Sequence, residues 1–217
     1  MSPGQPDPGG TTTASRVEGG TGQDVGVDSN TLRPVADTRY AVLLRGINLG
    51  GRRKIAMADL RALLEGLGYS DVQTHLQSGN AVVTASVQPD ALARRVEAQI
   101  TTELGMHMDV VVRTHRDLSS VVDRNPHKAG PRDPAKFLVS FLAKAPSAAR
   151  VRDLEPNAFA PDKFWVDGRE VYLWCPNGVG RSKLPNDFFA KRLAVSATAR
   201  NWNTVTKLVE LTAKTQP

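Results

Sequence analysis

Residues 40–51 read YAVLLRGINLGG, and the first five of them decide the architecture. Tyr40, Ala41, Val42, Leu43 and Leu44 are apolar at every position, so a strand here has no side suited to water and must be covered on both faces. The run stops at Arg45-Gly46. A loop follows with glycines at 46, 50 and 51 and cations at Arg52, Arg53 and Lys54.

Beyond that loop, Met57, Leu60, Leu63, Leu64 and Leu67 recur at helical spacing, with Gly66 and Gly68 as stops. Two short strands, 72–76 and 81–85, flank Gln77-Ser78-Gly79-Asn80, a turn whose glycine and asparagine supply the positive φ of a tight hairpin. Pro89 opens a helix carrying Leu92, Val96, Ile100 and Leu104 at intervals of four, and Gly105 ends it. Residues 108–113 are a strand again. The order is β-α-β-β-α-β, a ferredoxin-like unit.

Thr114 and Asp117 have the spacing of a capping box, and the helix they start ends at Asn125-Pro126. After a polar, proline-rich connection to Pro134 the element order repeats: strand 137–142, a short helix after Pro146, strand 164–166, the turn Asp167-Gly168, strand 171–175, a helix from about 185 to 193, and an extended piece at 198–200. A last helix is expected from Thr204, with Asn203 as its N-cap. The repeat lies in the order of elements. The fold class is α+β, two ferredoxin-like (βαββαβ) subdomains packed together plus a C-terminal helix. A lone unit of this kind has helices on one face of its sheet, and the second half is the nearest cover for the other.

Residues 1–38 hold seven of the 18 glycines and no aromatic residue. Such a stretch buries too little apolar surface to offset the cost of ordering it, and it reads as a disordered tail. The expected division is tail 1–38, first subdomain 39–125 and second subdomain 135–217. The tail carries two arginines against five carboxylates, so a formal charge of +6 for the chain leaves a surplus of nine positive charges on the rest. That sign favours anionic partners. No apolar run approaches the ~18 residues of a membrane span, no secretory signal opens the chain and Cys175 stands alone, which together read as a cytoplasmic protein.

In a β-α-β-β-α-β unit the loop after the first strand and the hairpin between the second and third lie at one end of the sheet. That rule brings Arg45, Asn48, Gly50 and Gly51 toward Gln77, Ser78, Gly79 and Asn80, with Arg45 near Asn80. Glycines let a backbone approach a ligand and free its N–H groups for an anion, and arginines add charge. The segment Arg200-Asn201-Trp202-Asn203 packs a cation, two amides, an indole and a helix start into four residues, and it is expected to close over those loops. The expected ligand is a small phosphate- or nucleotide-type molecule, either bound or turned over at this site, and the residues name no particular cofactor. Neither GxxxxGK[ST] nor GxGxxG is present.

Four histidines show no metal-ligand spacing, so no metal is expected; His75, beside the hairpin, is the one candidate proton carrier. Cys175 ends an apolar strand and reads as a packed thiol. Nucleic acid is a second candidate partner, bound weakly through charge, because strands 40–45 and 81–85 lack the stacking aromatics of an RNA-binding sheet. A protein-interaction scaffold is a third reading.

The stretches LLRGINLGG (43–51), THLQSGN (74–80) and TARNWNTVTKL (198–208), in that order, resemble the bacterial family known as domain of unknown function 1697. The likeness runs from about Arg39 to Leu211 and includes Asn125-Pro126 and the strand around Tyr172. Thr84 stands where that family often carries phenylalanine. The resemblance implies a two-part α+β fold with a ferredoxin-like first part, and it implies no reaction.

Overall fold

The computed structural model describes Met1 and residues 36–47, 54–128 and 132–213. The tail expected over 1–38 lies outside these apart from Met1 and its last three residues, and Thr38 already belongs to the first strand. The first half runs β1 (Thr38–Leu44), α1 (Met57–Gly66), β2 (Ser70–His75), β3 (Asn80–Ala85), α2 (Pro89–Leu104), β4 (Val110–Thr114) and α3 (His115–Asp123). The second runs β5 (Phe137–Leu142), α4 (Ala148–Arg152), β6 (Lys163–Asp167), β7 (Glu170–Trp174), α5 (Phe188–Leu193), β8 (Ala197–Asn201) and α6 (Trp202–Thr212). The strand orders are β2-β3-β1-β4 and β6-β7-β5-β8, with every neighbouring pair antiparallel. The fold is therefore a duplicated ferredoxin-like unit.

The pattern of β1 explains why two units share one core. Tyr40, Val42 and Leu44 pack with Leu60 and Leu64 of α1 and Leu92, Val96 and Ile100 of α2. Ala41 and Leu43 face the opposite way, into a central layer with Val139 and Phe141 of β5, Tyr172 of β7 and residues of α3 and α6. A third cluster joins Leu142, Val171 and Leu173 to Phe189 and Leu193 of α5. At ~1.5 to 3 kcal/mol for each fully buried aliphatic or phenyl side chain, the central layer, smaller than the cluster under α1 and α2 but larger than the one under α5, is a major source of stability.

Local signals place the elements as the residues predict, with two corrections: the β2–β3 turn runs over 76–79, its positive-φ residues being Leu76 and Gly79 while Asn80 opens β3, and the last helix starts early. Pro89 occupies the first turn of α2, and Gly105 closes it in the left-handed conformation. Thr114 and Asp117 form the reciprocal capping box of α3. The last helix begins two residues earlier than expected, at Trp202, and its N-cap is Asn201 rather than Asn203. Asn201 Oδ1 accepts from the backbone N–H and the hydroxyl of Thr204, and Trp202 is drawn into the central layer beside Phe137. Burial of Trp202 as the first helical residue, with Asn203 exposed beside it, favours the earlier start.

The strand registers of the two halves match at the strand ends around the two hairpins, although β2 carries an irregularity between Ser70 and Gln73 that β6 lacks. Leu43 pairs with Asn80 and Phe141 with Glu170; Leu44 pairs with Val110 and Leu142 with Ala197; His75 pairs with Asn80 and Asp167 with Glu170. Arg113 and Arg200 thus occupy one position, the residue before the N-cap of the helix that follows each last strand.

Candidate functional site

Arg200 leaves β8 and enters the end of the other sheet, where it is 6% exposed. Its Nε–H donates to Asn80 Oδ1. Nη1 donates to Thr198 Oγ1 at 2.7 Å and to the Ala199 carbonyl at 2.8 Å. Nη2 donates to the carbonyls of Leu44 at 2.8 Å and Gly79 at 3.1 Å. A guanidinium has five N–H donors, and all five are engaged. The side chain ties β8 to the ends of β1 and β3 and presents no donor to a ligand.

Arg113 does the same in the opposite direction. Its Nη2 donates to the carbonyls of Leu142, the last residue of β5, at 2.6 Å and Arg169 at 3.3 Å, and its Nε donates to Glu170 Oε1, on the first residue of β7, at 3.0 Å. The two arginines are reciprocal anchors between the halves, and they differ in charge. Arg113 has a buried carboxylate, itself met by Arg124 at 3.6 Å. Arg200 has the neutral amide of Asn80 at the equivalent place, and among the described residues no carboxylate pairs with it. Burial pushes its pKa down to about 10, with no opposing charge to raise it; burial lowers that of Arg113 too, while Glu170 works to raise it.

Asn80 passes this charge outward. Arginine can only donate, so the amide oxygen must face Arg200 and the amide nitrogen must face away. Nδ2 donates to the His75 carbonyl at 2.9 Å and to Ser78 Oγ at 3.0 Å. Ser78 is exposed, and having accepted this bond it has its own proton to donate away from Asn80. A directed chain of hydrogen bonds, polarised by a buried cation, thus ends on a surface hydroxyl.

The tip that carries Ser78 is tightly held. Gly79 has φ +76°, and a Cβ there would lie 2.8 Å from Ile47 Cδ1 and 2.9 Å from Leu44 Cβ, so glycine is required for space as well as conformation. Leu76, in the same turn, has φ +58° and is 57% exposed. A left-handed conformation costs a residue with a side chain roughly 1 to 2 kcal/mol.

Among the other expected residues, Arg45 sits beyond the Leu43–Asn80 pair, but its side chain turns to Asp109, the residue before β4, at 2.9 Å. There it lines a separate cavity of about 580 Å³ with Arg94, Glu97, Thr101 and His107. Gln77 is exposed on the turn; Asn201 caps α6, Trp202 fills the central layer and Asn203 is exposed. Asn48, Gly50 and Gly51 lie outside the described residues. His75 has its pKa lowered by burial and by Lys207 on α6. Cys175 is buried, and burial with the nearby Asp162 pushes its thiol up to about 11, which keeps it protonated. No group of three or more His, Cys, Asp or Glu side chains suited to a metal ion occurs among the described residues. Likewise, no helix among them is long and apolar enough to cross a membrane.

Sequence reasoning missed Arg113 and Glu170. A signal existed: Arg113-Thr114 and Arg200-Asn201 are both an arginine followed by an N-capping residue at the end of a repeat.

A family model described as a protein of unknown function (DUF1697) matches residues 38–172, from the start of β1 into β7. The chain belongs to this family. The matched part of this DUF1697 protein contains the β2–β3 turn, Arg113 and Glu170, and it ends before β8. Among curated proteins none matches the chain. A solved structure, that of the conserved bacterial protein SP0830 from Streptococcus pneumoniae, is similar at a TM-score of 0.64 with 24% identity, over 81% of this chain and 99% of that one. That likeness shows a shared fold.

Proposed function

We propose that the protein binds a small anionic, phosphate-type ligand at the β2–β3 turn, with the Ser78 hydroxyl as the donor and Arg200 as the buried source of charge. The observation that carries this reading is the contrast between the two anchors. Arg113 is neutralised from within by Glu170, whereas Arg200 has Asn80 in the matching position and is left with an uncompensated charge. A monoanion held over Ser78 would lie ~7 Å from the guanidinium, where an effective dielectric of ~20 gives about 2 kcal/mol of attraction. That corresponds to roughly 30-fold in affinity.

Arg200 acts here as a positioning residue that orients Asn80, its own five donors being engaged by the protein. Nucleic acid is the weaker reading. Each sheet has helices on one face and the central layer on the other, so neither offers an open platform for bases.

Calorimetric titration of the full chain with inorganic phosphate and with pyrophosphate tests the proposal. Asn80→Asp supplies the missing carboxylate and should weaken binding by roughly 30-fold, the loss expected when the attraction above is cancelled. Asn157→Asp, the same change of charge on the exposed α4–β6 loop, should leave affinity within about twofold, since exposed charges are screened beyond ~10 Å. Equal losses from the two variants, or no saturable binding by the unaltered chain, would overturn the reading.

A further inference from the structure

The two halves solve the same hairpin problem in different ways, and the difference bears on what the ligand carries besides its anion. The β6–β7 connection has two residues, Gly168 and Arg169, between Asp167 and Glu170. The β2–β3 connection has four, Leu76, Gln77, Ser78 and Gly79, between His75 and Asn80. Both hairpins deliver a turn carbonyl and the first strand residue to a buried arginine. The short form is therefore sufficient for the anchor, and the added length of the first hairpin serves something else.

What it adds is a solvent-facing surface. Gln77 and Ser78 are exposed and polar, and between them and β2 stands Leu76, exposed and held at positive φ. Glycine or asparagine would fit that backbone better. A leucine at this position works against the local backbone, and it places a large apolar side chain on the exposed tip. It stands two residues from the polarised Ser78 hydroxyl on the same tip.

Resting on the anion reading above, we infer that Leu76 is the contact for a flat apolar ring on the ligand, which makes the ligand class a phosphate ester of an aromatic or heteroaromatic compound, such as a nucleoside monophosphate. The geometry divides the labour. Ser78 meets the phosphate, and the leucine side chain covers one face of the ring, removing apolar surface from water on both partners. A phosphorylated sugar without a ring system would engage Ser78 alone.

The test compares phenyl phosphate with ribose 5-phosphate by calorimetry on the full chain, with inorganic phosphate as the reference for the anion term. The unaltered protein should bind phenyl phosphate about tenfold more tightly than ribose 5-phosphate, the order of effect of burying a few apolar groups. In Leu76→Gly that ratio should fall to about one. Leu76→Asn, which also accepts positive φ, should behave the same way and guards against a loss peculiar to the glycine chain. A ratio near one in the unaltered protein, or a tenfold ratio that survives both substitutions, overturns the ring contact. If inorganic phosphate binds and Asn80→Asp weakens it while the ring adds nothing, the anion reading stands and this one falls. If no phosphate species binds, both fall.

Discussion

Arg113 and Arg200 are both buried, yet replacing Arg113 with Met should cost the more stability, because of what each leaves behind. Arg113→Met strands Glu170, 5% exposed, with Arg124 at 3.6 Å as its remaining cation among the described residues. Removing one partner from a buried ion pair costs about 3 to 5 kcal/mol. Arg200→Met strands no charge. The Gly79 carbonyl keeps its bond from the Leu44 N–H at 2.8 Å, and the Leu44 carbonyl keeps Thr198 Oγ1 at 3.2 Å. The acceptor most exposed to loss is Asn80 Oδ1, at about 1 to 3 kcal/mol for a buried unsatisfied group. Loss of a desolvated, uncompensated cation offsets part of this. Urea denaturation at pH 7 should therefore place Arg113→Met about 2 kcal/mol below Arg200→Met with unchanged slopes. Adding Glu170→Gln to Arg113→Met should recover at least ~1 kcal/mol by removing the stranded charge. If Arg200→Met is as damaging as Arg113→Met, or if Glu170→Gln recovers nothing, the assignment of one compensated and one uncompensated anchor is wrong.

Other outcomes follow from the same geometry. Gly79→Ala should lose ~2 to 5 kcal/mol, combining positive-φ strain with overpacking against Ile47 and Leu44, whereas Gly46→Ala, at φ +67° with nothing within 4 Å of a Cβ, should lose only ~1 to 2, as thermal melts will show. Iodoacetamide should label Cys175 no faster than the chain opens, and mass spectrometry finding rapid labelling of folded protein at pH 8 would show an accessible thiolate instead. His127 lies 5.4 Å from Trp165 with its Nε2 buried and unbonded, and burial followed by the Lys163 charge holds its pKa below the usual 6.5. The unfolded chain then takes up the proton first, so stability should fall as pH drops below about 6.5, and His127→Phe should flatten that fall. A slope unchanged in His127→Phe would move the effect to His75, whose pKa is lowered too.

Much of the fold is legible in the residues because local rules and long-range packing agree there. The two-faced apolar pattern of Tyr40–Leu44 requires cover on both sides, and the second half supplies it. The Pro89, Gly105 and Thr114-Asp117 signals fall where the helix ends do. The last helix departs by two residues because the Asn201 and Asn203 side chains are equally good caps, and the choice falls to burial of Trp202. The site is less legible. Topology brings Arg200 to Gly79 and Asn80, but no spacing reveals that its five donors end on protein acceptors or that Arg45 turns to Asp109. The second anchor is hidden because Arg113 and Glu170 are 57 positions apart and become partners only when the two sheets face each other.

The central claim, that an uncompensated Arg200 makes the β2–β3 turn an anion site and its twin does not, is tested most directly by nuclear magnetic resonance. Inorganic phosphate titrated into the ¹⁵N-labelled full chain should move the amide signals of residues 76–80 and the Nε–H signal of Arg200 along one saturable curve. The signals of residues 167–170 should stay still. Equal movement at both turns, or shifts spread over exposed lysines and arginines without saturation, would contradict the account.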